Sequence, residues 1–250
     1  MRSPDKDTGA ELKSLDPSRV LVLRVDLQDL SSIAPAVDAA ILKFQKIDLL
    51  LNNAGFGEAG AFEGTSRERI QAQFDVNLFG LMDVTRAILP HFRANGGGGI
   101  INISSGSGFY ALPLISIYTA SKFALEGFTE SLAFELASQN TFVKSVVPHG
   151  HVGATNFTFE PRAEHTGTTV ETPDSYKPYV QRTIEAFGKR FEAWSITAQR
   201  VAEVVFEAAT DGAAKLRYPV NGTDTADFRK ARFEPKSDEE YVATMRSLFP

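Results

Sequence analysis

The stretch Gly99–Lys122, GIINISSGSGFYALPLISIYTASK, decides how the chain folds. Its opening, Ile100-Ile101-Asn102-Ile103, reads as a short buried strand, and Ser104-Ser105 with the glycines that follow read as the turn that ends it. The second half starts a long helix, because Leu125, Phe128, Leu132 and Leu136 recur at helical spacing beyond it. Tyr118 and Lys122 stand four residues apart, which places both side chains on one face of that helix. A phenol of pKa about 10 is a slow base at neutral pH, and an ammonium fixed beside it favours the phenolate. Lowering the Tyr118 pKa by ~2 units requires roughly 2.7 kcal/mol of differential interaction. Ser105 lies thirteen residues before Tyr118 at the strand end, where its hydroxyl can face the phenol and hydrogen-bond a substrate oxygen.

Outward from this stretch, the same strand–helix alternation repeats. Ile47–Leu51 is apolar on both faces, as a central parallel strand is, and runs into Asn52-Asn53-Ala54-Gly55. Residues 1–19 read as a polar surface segment with a short helix around Ala10–Leu15. Leu21–Leu27 reads as a strand, followed by a helix capped by Ser31 or Ser32 with Pro35 in its first turn and Ile33, Val37, Ile41 and Phe44 on one face. Thr65 and Glu68 form a capping-box pattern before a helix carrying Ile70, Phe74, Leu78, Leu81 and Ile88, which ends near Asn95-Gly96-Gly97. Val143–Val147 is a further strand, ending at Pro148-His149-Gly150. Thr197–Ala209 reads as a helix, Leu216–Val220 as a last strand, and Ser237 with Glu240 as the cap of a terminal helix. The pattern predicts an α/β domain with a doubly wound parallel sheet and ligands at the C-terminal strand ends.

Residues 151–194 have no clear period but hold Phe157, Phe159, Tyr176, Tyr179, Phe187, Phe191 and Trp194. Such a segment is a lid or binding loop, or a loop with short helices whose aromatics pack on the core; both readings stand. The expected organisation is one domain over 1–250, with 151–194 as a substrate-loop region.

The 250 residues suffice for one domain with a sizeable core, and 43% hydrophobic with 23% charged residues is an ordinary globular balance. A net charge of −5 without a basic run argues against nucleic acid as a partner. The chain has no cysteine, hence no disulfide framework and no thiolate chemistry. It has no apolar run of membrane-spanning length, and its polar N-terminus has no apolar signal core, so a soluble cytoplasmic protein is expected.

Taken together and in order, Asn52-Asn53-Ala54-Gly55, Asn77 within Phe74-Asp75-Val76-Asn77-Leu78-Phe79-Gly80, Ser105 after Gly99–Ser104, and Tyr118 with Lys122 resemble the short-chain dehydrogenase/reductase family. The resemblance implies a Rossmann-like sheet and hydride transfer between NADP, or NAD, and a small carbonyl or alcohol. In that reading Tyr118 is the general acid or base, Lys122 lowers its pKa and binds the nicotinamide ribose, Ser105 polarises the carbonyl, and Asn77 supports a water that relays the proton. Asp26 contacts the adenine, and Asn53, Ala54 and Gly55 pass beside the adenine ribose. Pro148, Gly150, Val152 and Thr155 resemble the family's Pro-Gly-x-Val-x-Thr loop around the nicotinamide amide, with His149 inserted and a longer path to Thr155. His149 and His151 have no cysteine and no close carboxylate to complete a metal site. Arg2 has two readings, a guanidinium facing the 2′-phosphate of NADP or a frayed terminal residue; the aromatic 151–194 segment suggests an apolar substrate, and the long helices carrying Asn77 and Tyr118 suggest a homodimer or homotetramer.

The N-terminal part departs from the family. No Thr-Gly-x-x-x-Gly-x-Gly turn occurs, since Thr8-Gly9 has no glycine at the needed spacing and no apolar strand before it. That turn is where backbone N–H groups and a helix N-terminus hold a pyrophosphate. The expectation is therefore a chain that starts about one βαβ unit late, without the family's first strand, glycine-rich turn and second strand. Two accounts stand: a misplaced start in the gene, or a true truncation that leaves a catalytically inactive remnant with no cofactor binding.

Overall fold

The computed structural model describes residues 12, 14, 16, 18–153, 155, 157, 171–190, 194–221, 230, 232–234 and 237–248. The helices are α1 (Ile33–Phe44), α2 (Arg67–Phe74), α3 (Gly80–Ala94), α4 (Ser116–Ala137), α5 (Lys177–Gly188), α6 (Ala198–Thr210) and α7 (Asp238–Leu248). The strands are β1 (Leu49–Asn52), β2 (Gly98–Ile103), β3 (Thr141–His149), β4 (His151–Gly153), β5 (Ser195–Thr197) and β6 (Arg217–Asn221). Strands β1-β2-β3-β6 form one parallel sheet in that order, and β4-β5 form a separate parallel pair.

Alternation along each strand builds two cores. Ile100 and Val143 face α1, α3 and α4, where they pack with Ile88, Phe92, Leu132 and Leu136. Ile101, Val146, Tyr218 and Val220 face the other way, against Val204 and Ala208 of α6. Helices on both faces make the sheet doubly wound and leave its C-terminal strand ends free to carry a site. Asn52 ties the layers: its amide donates to Asn102 at 2.9 Å and to Thr85 at 3.1 Å, and Asn102 donates to Thr129 at 2.9 Å.

Several expectations are corrected. Leu21–Leu27 is not a strand; it runs without a ladder, and Leu21 is 37% exposed. A strand needs a hydrogen-bonded neighbour, and among the described residues β1 at the margin of the sheet pairs with β2 alone. The segment is held at its end instead, where the Asp26 N–H donates to Ser32 Oγ at 2.9 Å. The cap of α2 is Ser66 rather than Thr65: Ser66 Oγ accepts from the Arg69 N–H, while Thr65 donates to the Ala61 carbonyl. The stretch after Gly150 is partly regular, with β4 locked to β5 and α5 packed beneath Phe109 and Trp194. The helix expected at Ala10–Leu15 lies largely outside the described residues, as do Arg2 and Thr8-Gly9. α7 starts one residue past Ser237, whose Oγ accepts from the Glu240 N–H at 3.2 Å.

Candidate active site

Ser105, Tyr118 and Lys122 converge at the ends of β2 and the start of α4. Ser105 sits in extended backbone at the N-cap of a single 3₁₀ turn, and its Oγ accepts from the Ser107 N–H at 3.1 Å. Ser105 is also the neighbour that acts to lower the Tyr118 pKa against burial. Lys122 lies one turn along α4, with its ammonium 5.8 Å from the Tyr118 ring centroid and donating to the Ile103 carbonyl at 2.9 Å. Tyr118 and Lys122 are both buried.

Burial sets the acidities and corrects the expected depression of the tyrosine. The Tyr118 phenol is pushed up to about 12 by desolvation, with the Ser105 hydrogen bond opposing. Lys122 is pushed down to about 8 by desolvation, with the nearby Glu126 carboxylate opposing. Removing both charged forms from water outweighs what each gains from its neighbours. Phe157 contributes to that dryness: its ring centroid lies 5.9 Å from that of Tyr118. Thr155 aims it, donating to the Val152 carbonyl at 2.9 Å and accepting from the Phe157 N–H at 3.3 Å.

Asn77 lies inside a single π-helical turn, Asp75–Phe79, where α2 gives way to α3. Such turns cluster at functional sites because the extra residue turns side chains and carbonyls out of register. Its Oδ1 accepts from the Phe56 N–H at 3.1 Å, and its Nδ2 donates to the Phe56 carbonyl at 3.0 Å and to Ser121 Oγ at 3.2 Å. Ser121 donates to the Tyr118 carbonyl at 2.7 Å, so Asn77 is linked to the tyrosine's own backbone.

The sequence reading passed over the companions of Asn77. Arg69, Gln73 and Asn77 follow one another at four-residue spacing, all buried, and all grip the loop after Gly55. Gln73 accepts from the Glu58 N–H and donates to the Phe56 carbonyl, each at 2.8 Å, and Arg69 pairs with the buried Glu58. The signal was present as a polar stripe beside the apolar one, but polar residues on a helix usually face water.

The remaining expected cofactor contacts divide. Asn53, Ala54 and Gly55 form exposed backbone at the end of β1. A Cβ at Gly55 would stand 3.2 Å from Asn77 Oδ1 and 3.9 Å from Lys122 Nζ, so a side chain there would intrude between the two. This strand-end backbone, with Lys122 beside it, fits the sugar end of a nicotinamide nucleotide. Pro148 is built into β3 opposite Val220, and Val152 into β4 opposite Ile196. Gly150 joins them at φ 129°, where a Cβ would strike the Trp194 carbonyl. Thr155 is exposed beyond β4. Asp26 is half-buried, and its carboxylate accepts from the Gln28 N–H at 3.1 Å. His149 is buried, with its ring against those of Phe109 and Tyr110. Among the described residues no group of three His, Cys, Asp or Glu side chains could hold a metal.

The family model described as short chain dehydrogenase matches residues 2–166. The chain belongs to that family. This short chain dehydrogenase is 38% identical over 200 residues to an uncharacterized oxidoreductase of Schizosaccharomyces pombe, covering 80% of this chain and 81% of the relative. It is 30% identical over 231 residues to retinol dehydrogenase 8 of Bos taurus, covering 91% and 72%. Among solved structures, a short-chain dehydrogenase from Streptomyces avermitilis superposes with a TM-score of 0.74 at 27% identity, covering 95% of this chain and 84% of that one. The protein is thus an oxidoreductase of the family, and among the described residues no helix is long and apolar enough to cross a membrane.

Proposed function

We propose that the protein interconverts a carbonyl and an alcohol on a small apolar molecule, with NADP preferred over NAD and with Tyr118 as the proton donor and acceptor. The observation that carries this reading is the buried Tyr118 phenol with the Lys122 ammonium one helical turn away, 5.8 Å from its ring centroid, at the C-terminal ends of the strands. A phenol held near pKa 12 keeps its proton at neutral pH and can pass it to a carbonyl oxygen that is gaining negative charge. Ser105 orients that oxygen, as a preorganised donor does. Lys122 carries the compensating positive charge, and Asn77 holds the loop and the tyrosine backbone in register through Phe56 and Ser121.

A bound nicotinamide nucleotide would supply or take up the hydride. Asn53, Ala54, Gly55 and Lys122 would hold its sugar end, with Pro148, Gly150, Val152 and Thr155 along the nicotinamide side and Asp26 at the adenine. Phe157 on the Tyr118 ring supports an apolar substrate, as do relatives named for retinol and for 3-ketodihydrosphingosine. The preference for NADP rests on Arg2, which lies outside the described residues.

A second reading is favoured by the sequence, which has no family-type glycine turn to hold a pyrophosphate. On this ground the 250-residue chain binds NADPH weakly and turns over no ketone, and a strand–glycine turn–helix–strand unit joined ahead of Arg2 restores both. Titration of nicotinamide fluorescence on the two proteins measures it, and micromolar binding by the 250-residue chain overturns that expectation. In the extended protein, Tyr118→Phe lowers ketone reduction by ~10² or more while circular dichroism stays unchanged. Near-full turnover by that variant rules out the role given to Tyr118.

A further inference from the structure

Tyr118, Lys122, Glu126 and Glu130 follow at four-residue intervals and form one stripe along α4. The stripe starts in the dry site and ends at the surface, where the Glu130 side chain is 46% exposed. Glu126, between these ends, is 5% exposed, an expensive place for a carboxylate unless it is held by partners. It accepts from Ser145 Oγ of β3 at 3.0 Å and from Arg217 Nε of β6 at 2.9 Å. Arg217 donates in turn to Glu130 at 2.6 Å, with its guanidinium 5.5 Å from the Phe109 ring centroid. The 3₁₀ turn after Ser105 passes close over the same carboxylate: a Cβ at Gly108 would lie 2.9 Å from Glu126 Cγ.

We propose that Glu126 is a positioning residue that keeps Lys122 an ammonium in the site, acting through space along α4 from a carboxylate fixed by Arg217 and Ser145. The proposal rests on the reading of Tyr118 and Lys122 as the reacting pair. Burial drives Lys122 toward the neutral amine, and the Glu126 carboxylate is the neighbour that opposes it. The other groups that face Lys122 bring it no negative charge. Ile103 offers Lys122 a carbonyl, and Asn77 and Gly55 bring no charge. Tyr118 and Tyr110 are both held protonated by burial, and Arg217 is a cation already shared between Glu126 and Glu130. Arg217 and Ser145 therefore serve the lysine indirectly: their hydrogen bonds hold the Glu126 carboxylate in place.

The test needs no cofactor and no turnover. The side-chain ammonium signals of isotope-labelled lysine are followed against pH in the 250-residue protein, with Lys122 assigned by its loss in Lys122→Met. The Lys122 midpoint in the unaltered protein is about 8. Glu126→Gln keeps an oxygen for Ser145 and Arg217 but removes the charge, and lowers that midpoint by about one pH unit. Glu130→Gln leaves it in place, and the Lys144 signal does not move in either variant. An unchanged Lys122 midpoint in Glu126→Gln overturns the proposal, as does an equal fall in Glu130→Gln. If Glu126→Gln does not fold, Glu126→Asp, which withdraws the charge by one methylene, gives a smaller fall in the same direction, and no fall overturns the proposal. Loss of turnover in Tyr118→Phe is a separate result and bears only on the reacting pair.

Discussion

Two lysines are buried in this protein to almost the same degree, Lys122 at 5% and Lys144 at 4% exposure, and the fold treats them in opposite ways. Lys144 on β3 is surrounded by partners. Its ammonium donates to the Ala208 carbonyl and to the Asp211 carboxylate, each at 2.8 Å, and lies 5.0 Å and 5.1 Å from the ring centroids of Phe142 and Tyr218. Burial alone would lower its pKa, but the hydrogen bonds to Asp211 and Tyr218 win and raise it. Lys122 on α4 donates to the Ile103 carbonyl, has its carboxylate at a distance, and falls to about 8. On the function proposed above, the difference separates a structural amine from a chemical one. A charge that only holds strands and helices together is neutralised on the spot, whereas a charge that must respond to a ligand is left close to its balance point.

The largest effect that would break this comparison is on activity. In the protein extended by the glycine-turn unit, Lys122→Met lowers ketone reduction by ~10²-fold and shifts its pH dependence upward, because the phenol loses its cation. Lys144→Met leaves turnover per folded molecule unchanged. Steady-state rates across pH for both variants check this, and equal losses would remove the distinction.

The next effect is on stability, and the order reverses. Lys144→Met strips Asp211 and the Ala208 carbonyl of their donor and costs about 1–2 kcal/mol in urea unfolding. Lys122→Met, which relieves a desolvated charge, costs less or stabilises.

A third effect is in pH dependence. Lys122 has a folded pKa of about 8, below the ordinary lysine value of 10.5, so between these limits the unfolded chain binds more protons. Its contribution to stability therefore rises as pH goes from about 8 to 10.5, and Lys122→Met abolishes that rise. Tyr118 acts in the other direction: with a folded pKa of about 12 against 10.0, it loses stability above pH 10. The Asp211 carboxylate, held low by Lys144 and then Tyr218, loses its contribution only in acid, as pH falls below the ordinary carboxylate range. Urea midpoints from pH 3 to 11 separate the three windows.

The margin of the sheet offers one more measurement. Among the described residues β1 pairs with β2 alone, and Leu51 is 43% exposed. Leu51→Lys places a charge on that edge and raises the concentration at which the protein stays monodisperse in light scattering.

What the sequence determined by itself is the local grammar. Ile100–Ile103 and Val143–Val147 could only be buried strands, and the four-residue step from Tyr118 to Lys122 could only share a helix face, because backbone geometry fixes these periods whatever surrounds them. Ser105 was legible from its place at a strand end, thirteen residues before Tyr118, whereas Asn77 stood out only through the resemblance of the motif around it to the family. Leu21–Leu27 shows where that grammar stops: its pattern is that of a strand, but a strand exists only with a hydrogen-bonded neighbour, and this one has no ladder. The charge states were equally out of reach. Tyr118 was expected below its ordinary pKa and lies above it, because desolvation depends on how closely Phe157, Ser105 and the strand ends enclose the pair. The grip of Arg69, Gln73 and Asn77 on the loop Phe56–Glu58, and that of Arg217 on Glu126 across 91 residues of chain, exist only once the fold brings these segments together. Periodicity is a property of neighbours along the chain; burial and charge are properties of neighbours in space, and tertiary structure alone decides those.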